Sequence, residues 1–317
     1  VKRIMFLYLP FSKTLNLLKK RTDKYAKIEK NWTPFISPNQ KSQNKLNFIY
    51  SIVPLEVLVC EIDTAVCDFL QNPKKKKKNF VGALRGGTQL VSLPLDKLPT
   101  AVRDLLHIPA NRNVFLGWAR AHLNKCGCGE SMYRPNMIIL IEDYNEETGK
   151  YYYKLGDVSD YIDFGAYVPP WVSPKIDPKL GQLIEAEPLP CEGRNVLIPN
   201  SIAYWDIESV TRDGKTLKNF DQLTSLDSVS INDYMGVTLS AADQDVSIVH
   251  LRGLLNYIIK LPSLFDESTA VYNRDQFNIR GSDWNYKCAM KASKEYCKQV
   301  ALKNGILEEE EEDPYSG

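Results

Sequence analysis

Asn136-Met137-Ile138-Ile139-Leu140-Ile141-Glu142-Asp143-Tyr144 is an apolar run closed by two carboxylates, and Asn145-Glu146-Glu147-Thr148-Gly149 follows it. Lys150-Tyr151-Tyr152-Tyr153-Lys154-Leu155 then resumes the apolar and aromatic character. Such residues flanking a polar, glycine-ended loop spell two antiparallel strands joined as a hairpin. Gly149 supplies the positive φ that a loop of this length needs. Tyr152 must point opposite to Tyr151 and Tyr153, because side chains alternate along a strand.

The same theme continues toward the C-terminus. Residues 195–210 run into Arg212-Asp213-Gly214-Lys215, a strong turn signal, and residues 235–239 and 246–251 flank Ala241-Ala242-Asp243-Gln244. Strands follow strands here without intervening helices, which favours an antiparallel or mixed sheet. A proline-rich connection from Pro169-Pro170-Trp171 to Pro190 separates the first two hairpins.

Toward the N-terminus the pattern reads as helical. Residues 12–30, 49–70, 95–108 and 114–123 each place apolar side chains at helical intervals, with Ser12 as a cap for the first. After the hairpins, residues 254–264 and 282–303 are expected to be helices. In the last of these Trp284, Cys288, Ala292, Tyr296 and Val300 recur every four residues as a buried stripe. The predicted fold is therefore α+β: a helical N-terminal part, a central antiparallel or mixed, hairpin-rich sheet, and C-terminal helices. The predicted organisation is a basic, mainly helical module over residues 1–130, an α+β body over 131–305, and an acidic tail over 306–317.

The chain has 317 residues, of which 44% are hydrophobic and 25% charged. Those fractions exclude a collagen-like, disulfide-scaffold or wholly disordered chain. No apolar run approaches the roughly 18 residues of a membrane span. Forty basic and 39 acidic residues nearly cancel, yet residues 1–90 sum to +11 and the remainder to −10. Two clusters carry the excess: Lys19-Lys20-Arg21 with its neighbours, and Lys74-Lys75-Lys76-Lys77-Lys78. Lysines in such runs attract phosphates without reading sequence.

Three clusters bear on chemistry. His122, Cys126 and Cys128 form a glycine-spaced group of nitrogen and sulfur donors for which zinc is the fitting cofactor. For a thiol nucleophile and its base, Cys126 or Cys128 could pair with His250 or with His107. Asp206 and Glu208 stand at i and i+2 in Tyr204-Trp205-Asp206-Ile207-Glu208, a spacing that puts both carboxylates on one strand face for a divalent cation. Phosphate-loop, dinucleotide-binding and nucleophile-elbow patterns are absent.

Seven cysteines without a regular framework favour a reducing compartment, the cytoplasm or nucleus. The basic, acid-poor start also fits mitochondrial import in part. Asn31-Trp32-Thr33 is a glycosylation acceptor that matters only for a secreted chain.

The reading that unites these features is a non-enzymatic binding or structural protein in a larger assembly. Its basic module would contact nucleic acid or an acidic protein subunit, within a homo- or hetero-oligomer. The alternatives are a metal-dependent hydrolase or nuclease using Asp206 and Glu208, and a cysteine-dependent hydrolase using Cys128.

Overall fold

The computed structural model describes residues 5–10, 12–21, 29–72, 83–126, 129–169, 175–177, 179–184, 196–218, 221–265, 280–303 and 305. Strands dominate it. A hairpin of β1 (Phe6–Leu9) and β2 (Thr14–Leu17) precedes the N-terminal sheet. That sheet contains β3 (Lys19–Lys20), β4 (Thr33–Phe35), β5 (Lys45–Ser51), β6 (Glu56–Glu61) and β7 (Val66–Gln71), in the order β3-β7-β6-β5-β4. The central sheet has β8 (Ala83–Arg85), β9 (Val91–Ser92), β10 (Arg112–Cys126), β11 (Gly129–Asn145) and β12 (Lys150–Tyr161). Its order is β12-β11-β10-β8, with β9 also on β10. After a small pair, β13 (Lys175–Ile176) and β14 (Leu183–Ile184), comes the C-terminal sheet. There β15 (Leu197–Arg212), β16 (Lys215–Thr216), β17 (Val229–Ala241) and β18 (Asp245–Arg252) lie in the order β16-β15-β17-β18. Helices α1 (Thr100–Leu106) and α2 (Leu254–Ile258) are short, and α3 (Arg280–Lys303) is long.

The α+β expectation with a helical N-terminal part is thus corrected to a mainly β fold with a C-terminal helix. Residues 49–70, expected as a helix, form the meander β5-β6-β7, in which Val57 and Val59 favour extended backbone. Residues 12–30 contribute β2 and β3, and positions 22–28 lie outside the described residues.

Residues 114–123, also read as a helix, are the middle of β10, and their pattern misleads for a physical reason. The central sheet is buried on both faces. Phe115, Ala119, Ala121 and Leu123 join the core shared with the N-terminal sheet and α3, whereas Val114, Leu116 and Trp118 face the C-terminal sheet. In β11, Ile138 and Leu140 face the first core and Met137, Ile139 and Ile141 the second. A strand wet on neither side loses the polar half of its alternation, so periodicity cannot tell it from a buried helix.

At the far end of the β10–β11 hairpin, Arg112 and Asp143 are register partners. The guanidinium donates to both carboxylate oxygens at 2.7 and 2.9 Å and to the Leu264 carbonyl at 3.0 Å, in a site closed to solvent. Removing one partner of such a pair costs about 3–5 kcal/mol, so it pins the register.

The helix α3 packs on β10 and β12. Its buried face carries Tyr286, Met290, Ser293, Cys297 and Ala301, while Cys288 is exposed. The stripe is therefore turned about one position from the expected one. Cys297 is disulfide-bonded to Cys126, and Cys60 to Cys67 across β6 and β7. Two disulfides overturn the expected reducing compartment. They belong to an oxidising one, neither cytoplasm nor nucleus. No helix among the described residues is long and apolar enough to cross a membrane.

Candidate functional site

Strands β8 and β10 are antiparallel, and their register sets Arg85 directly opposite Arg120. Like charges in that relation repel, so the pair costs stability unless an anion joins it. Nothing among the described residues accepts a hydrogen bond from Arg85. Arg120 donates one Nη2 hydrogen bond to the Asn31 side chain, and its buried Nε has no acceptor. The Tyr133 ring lies 5.7 Å from the Arg120 guanidinium. Burial pulls the Arg120 pKa below the usual guanidinium range, and the positive charge of Arg85 adds to that.

His122, two residues along β10, shares the Arg120 face, and its ring lies tilted against Tyr133 at a centroid separation of 4.6 Å. Burial, with Arg85, Lys30 and Arg120 around it, holds its pKa down to about 4. At neutral pH it is an uncharged imidazole in a positive field. A cleft of about 200 Å³ opens beside the group, lined by Lys30, Asn31, Tyr50, Ser51, Arg85 and Gly86 among others.

Local sequence explains why these parts meet. Gly86 lets the chain pass against the Asn31 carbonyl and the Thr33 hydroxyl, where any Cβ would collide. Gly87 passes equally close to the Trp118 carbonyl. From the C-terminal sheet, the β17–β18 turn adopts positive φ at Ala242 and Asp243 and brings the Asp243 carboxylate into the field of Arg120. The Ala242 amide donates to the Val196 carbonyl at 2.8 Å, and Val196 bridges to Tyr133. The site is a cationic junction built by all three sheets.

A family model described as beta-mannosyltransferases matches residues 5–296. The chain belongs to the beta-mannosyltransferase family. Beta-mannosyltransferase 7 of Candida albicans is 55% identical, over 96% of this chain and 48% of its own length. Beta-mannosyltransferase 2 of the same organism is 32% identical over 94% and 40%. Beta-mannosyltransferase 4 of Komagataella phaffii is 30% identical over 94% and 48%. The chain spans about half the length, or less, of these relatives. No solved structure matches it.

Membership of a beta-mannosyltransferase family overturns the expectation of a non-enzymatic, nucleic-acid-binding assembly protein. The first basic cluster agrees with that correction. Lys20 is buried and donates to Glu29 at 2.9 Å and to the Tyr50 hydroxyl at 2.8 Å. Arg21 makes a two-pronged pair with Asp68 at 2.7 and 3.0 Å, leaving Lys19 exposed beside it. Lys74, Lys75, Lys76, Lys77 and Lys78 lie outside the described residues.

Of the zinc candidates, His122 belongs to the junction, Cys126 is oxidised with Cys297, and Cys128 lies outside the described residues. Among the described residues no three side chains of metal-ligating type stand together. Asp206, Glu208 and His250 share the solvent-facing side of the C-terminal sheet without converging: His250 lies in the register row of Tyr204 and Gly236, Asp206 in that of Tyr234 and Arg252. Each carboxylate there holds a cation of the chain: Asp206 with Lys97 at 2.7 Å, Glu208 with Arg252 at 2.8 Å. These partners hold both carboxyls below their ordinary range.

Arg85, Arg120 and Asp243 were not singled out by the sequence. The arginines are 35 positions apart and become neighbours only through strand register. The adjacent glycines 86 and 87 were the one local signal.

Proposed function

We propose that this chain carries the donor-binding part of a mannosyl transferase that forms β linkages to a hydroxyl acceptor. Family membership supports the reaction class, and the opposed Arg85 and Arg120 support the place. Transfer of a glycosyl group forms a bond from an acceptor oxygen to the anomeric carbon and breaks the bond to the leaving group. The acceptor proton goes to a base, and an activated donor's leaving group departs as an anion. Arg85 and Arg120, with Lys30 at the rim, would neutralise that anion in a low-dielectric setting, where fixed donors act most strongly. Asp243, the carboxylate within the field of Arg120, is the group we assign to take the proton. The oxidising compartment marked by the disulfides is consistent with glycosylation in the secretory pathway.

Mannosyl incorporation into a mannoside acceptor, from a donor with an anionic leaving group, tests this. Arg85→Gln and Arg120→Gln should each lower it by about 10²-fold, the usual loss for one oriented charge donor. Unchanged transfer in both variants would refute the assignment.

A further inference from the structure

Away from the junction, the solvent side of the C-terminal sheet carries an aromatic platform. Tyr204 of β15 is the register partner of Gly236 of β17. A Cβ at Gly236 would lie 2.6 Å from Cε1 and Cζ of that ring, so the ring rests against bare backbone. Its hydroxyl is hydrogen-bonded to His250 Nδ1 on β18, and Tyr234 meets it at a ring separation of 5.7 Å. The ring is held from below and from two sides, yet Tyr204 remains 37% exposed.

The surroundings carry little net charge and mix polar groups with two exposed apolar side chains, Val246 and Ile248 of β18. Glu208 accepts from Arg252 and from the Asn232 side-chain amide at 2.8 Å each, and Arg252 also donates to Asn232 Oδ1 at 3.2 Å. At the other end of the ring, Asn200 donates to Ser240 at 2.7 Å and Ser201 meets Thr238 at 3.1 Å. With Asp206 satisfied by Lys97, the face offers many donors and acceptors and little net charge.

We infer that this face is a subsite for a neutral oligosaccharide, with Tyr204 stacking under a sugar ring. A pyranose has an apolar C–H face that suits an aromatic ring and equatorial hydroxyls that suit planar amide, carboxylate and guanidinium groups. An ionic ligand would need an unmatched charge, which the paired carboxylates and cations do not supply. That the sugar is a mannoside rests on the mannosyl-transfer reading; that it is a neutral glycan rests on the face itself.

The test is titration of the 317-residue chain with mannotetraose, without donor, followed by NMR of aromatic side chains. The ring signals of Tyr204, Tyr234 and His250 should shift and saturate. Tyr204→Ala should weaken binding at least about ten-fold, while Tyr204→Phe, which keeps the ring, stays within a few-fold. Should Tyr204→Ala not fold, the wild-type signals decide: rings that do not move overturn the subsite. A self-association abolished by Tyr204→Ala, with no response to the glycan, would assign the face to a second copy and overturn it too. Because no donor is present, a failure of mannosyl transfer leaves this result standing, and the reverse also holds.

Discussion

Cys297 of α3 is bonded to Cys126 at the end of β10, 171 positions earlier. The link ties the long helix to the central sheet where the buried face of α3 meets Met132 and Leu123. In the chain-entropy picture, closing a loop of that length restricts the unfolded chain by about 5 kcal/mol at most. Cys126→Ser with Cys297→Ser should lower the unfolding free energy by several kcal/mol in a denaturant titration. Cys60→Ser with Cys67→Ser, which opens a separation of only 7, should cost less.

The depressed pKa of His122 sets a pH dependence with a definite sign. The folded chain takes up this proton near pH 4, the unfolded chain near 6.5. As pH falls from 6.5 toward 4, the unfolded state gains protons first and stability is lost. His122→Gln should remove that loss, on the order of 1–2 kcal/mol after allowance for its half-exposed position. The same imidazole reports on the junction: inorganic phosphate bound between the arginines should raise its pKa, visible in its ring proton shifts.

Glu142 has the opposite sign. Its fully buried carboxyl accepts from Ser37 and Asn113 at 2.7 Å each, and burial raises its pKa despite those bonds. Stability from this group is present at low pH and lost as pH rises through the raised value. Glu142→Gln keeps the acceptor oxygen and removes the charge. It should match or exceed the wild type in stability at pH 8, and Glu142→Leu, which strands both donors, should cost about 1–3 kcal/mol.

Asn31 carries a glycosylation acceptor motif and sits in an oxidising-compartment protein, yet its amide is engaged by Arg120 and Thr33 is buried. Mass spectrometry of the folded, secreted chain should find Asn31 unmodified. Gly86→Ala forces the backbone off Asn31 and Thr33 and should destabilise the chain by about 1–3 kcal/mol. That variant should also lower mannosyl transfer, because Asn31 is what steadies Arg120.

Legibility in the sequence followed the solvent. The hairpins around Gly149, Gly214 and Asp243 were readable because their turns must be polar and conformationally special. The strands β5, β6 and β10 were not, since burial on two faces erased their alternation. Cys126 was seen as a ligand because its true partner lies 171 positions away. The arginine pair was invisible for a related reason: proximity across strands is a property of register, which single-sequence patterns do not contain.

The junction draws Lys30 from the loop before β4, Arg85 and Arg120 from the central sheet, and Asp243 from the β17–β18 turn. No fragment holding one or two of these sheets can recreate it, so ligand affinity becomes a readout of complete assembly. An anion bound there would act as a clasp, raising the unfolding free energy by RT ln(1 + L/Kd), where L is the anion concentration, and so by more as that concentration rises. Destabilising lesions far from the cleft would then surface first as weakened substrate capture, before any loss of secondary structure.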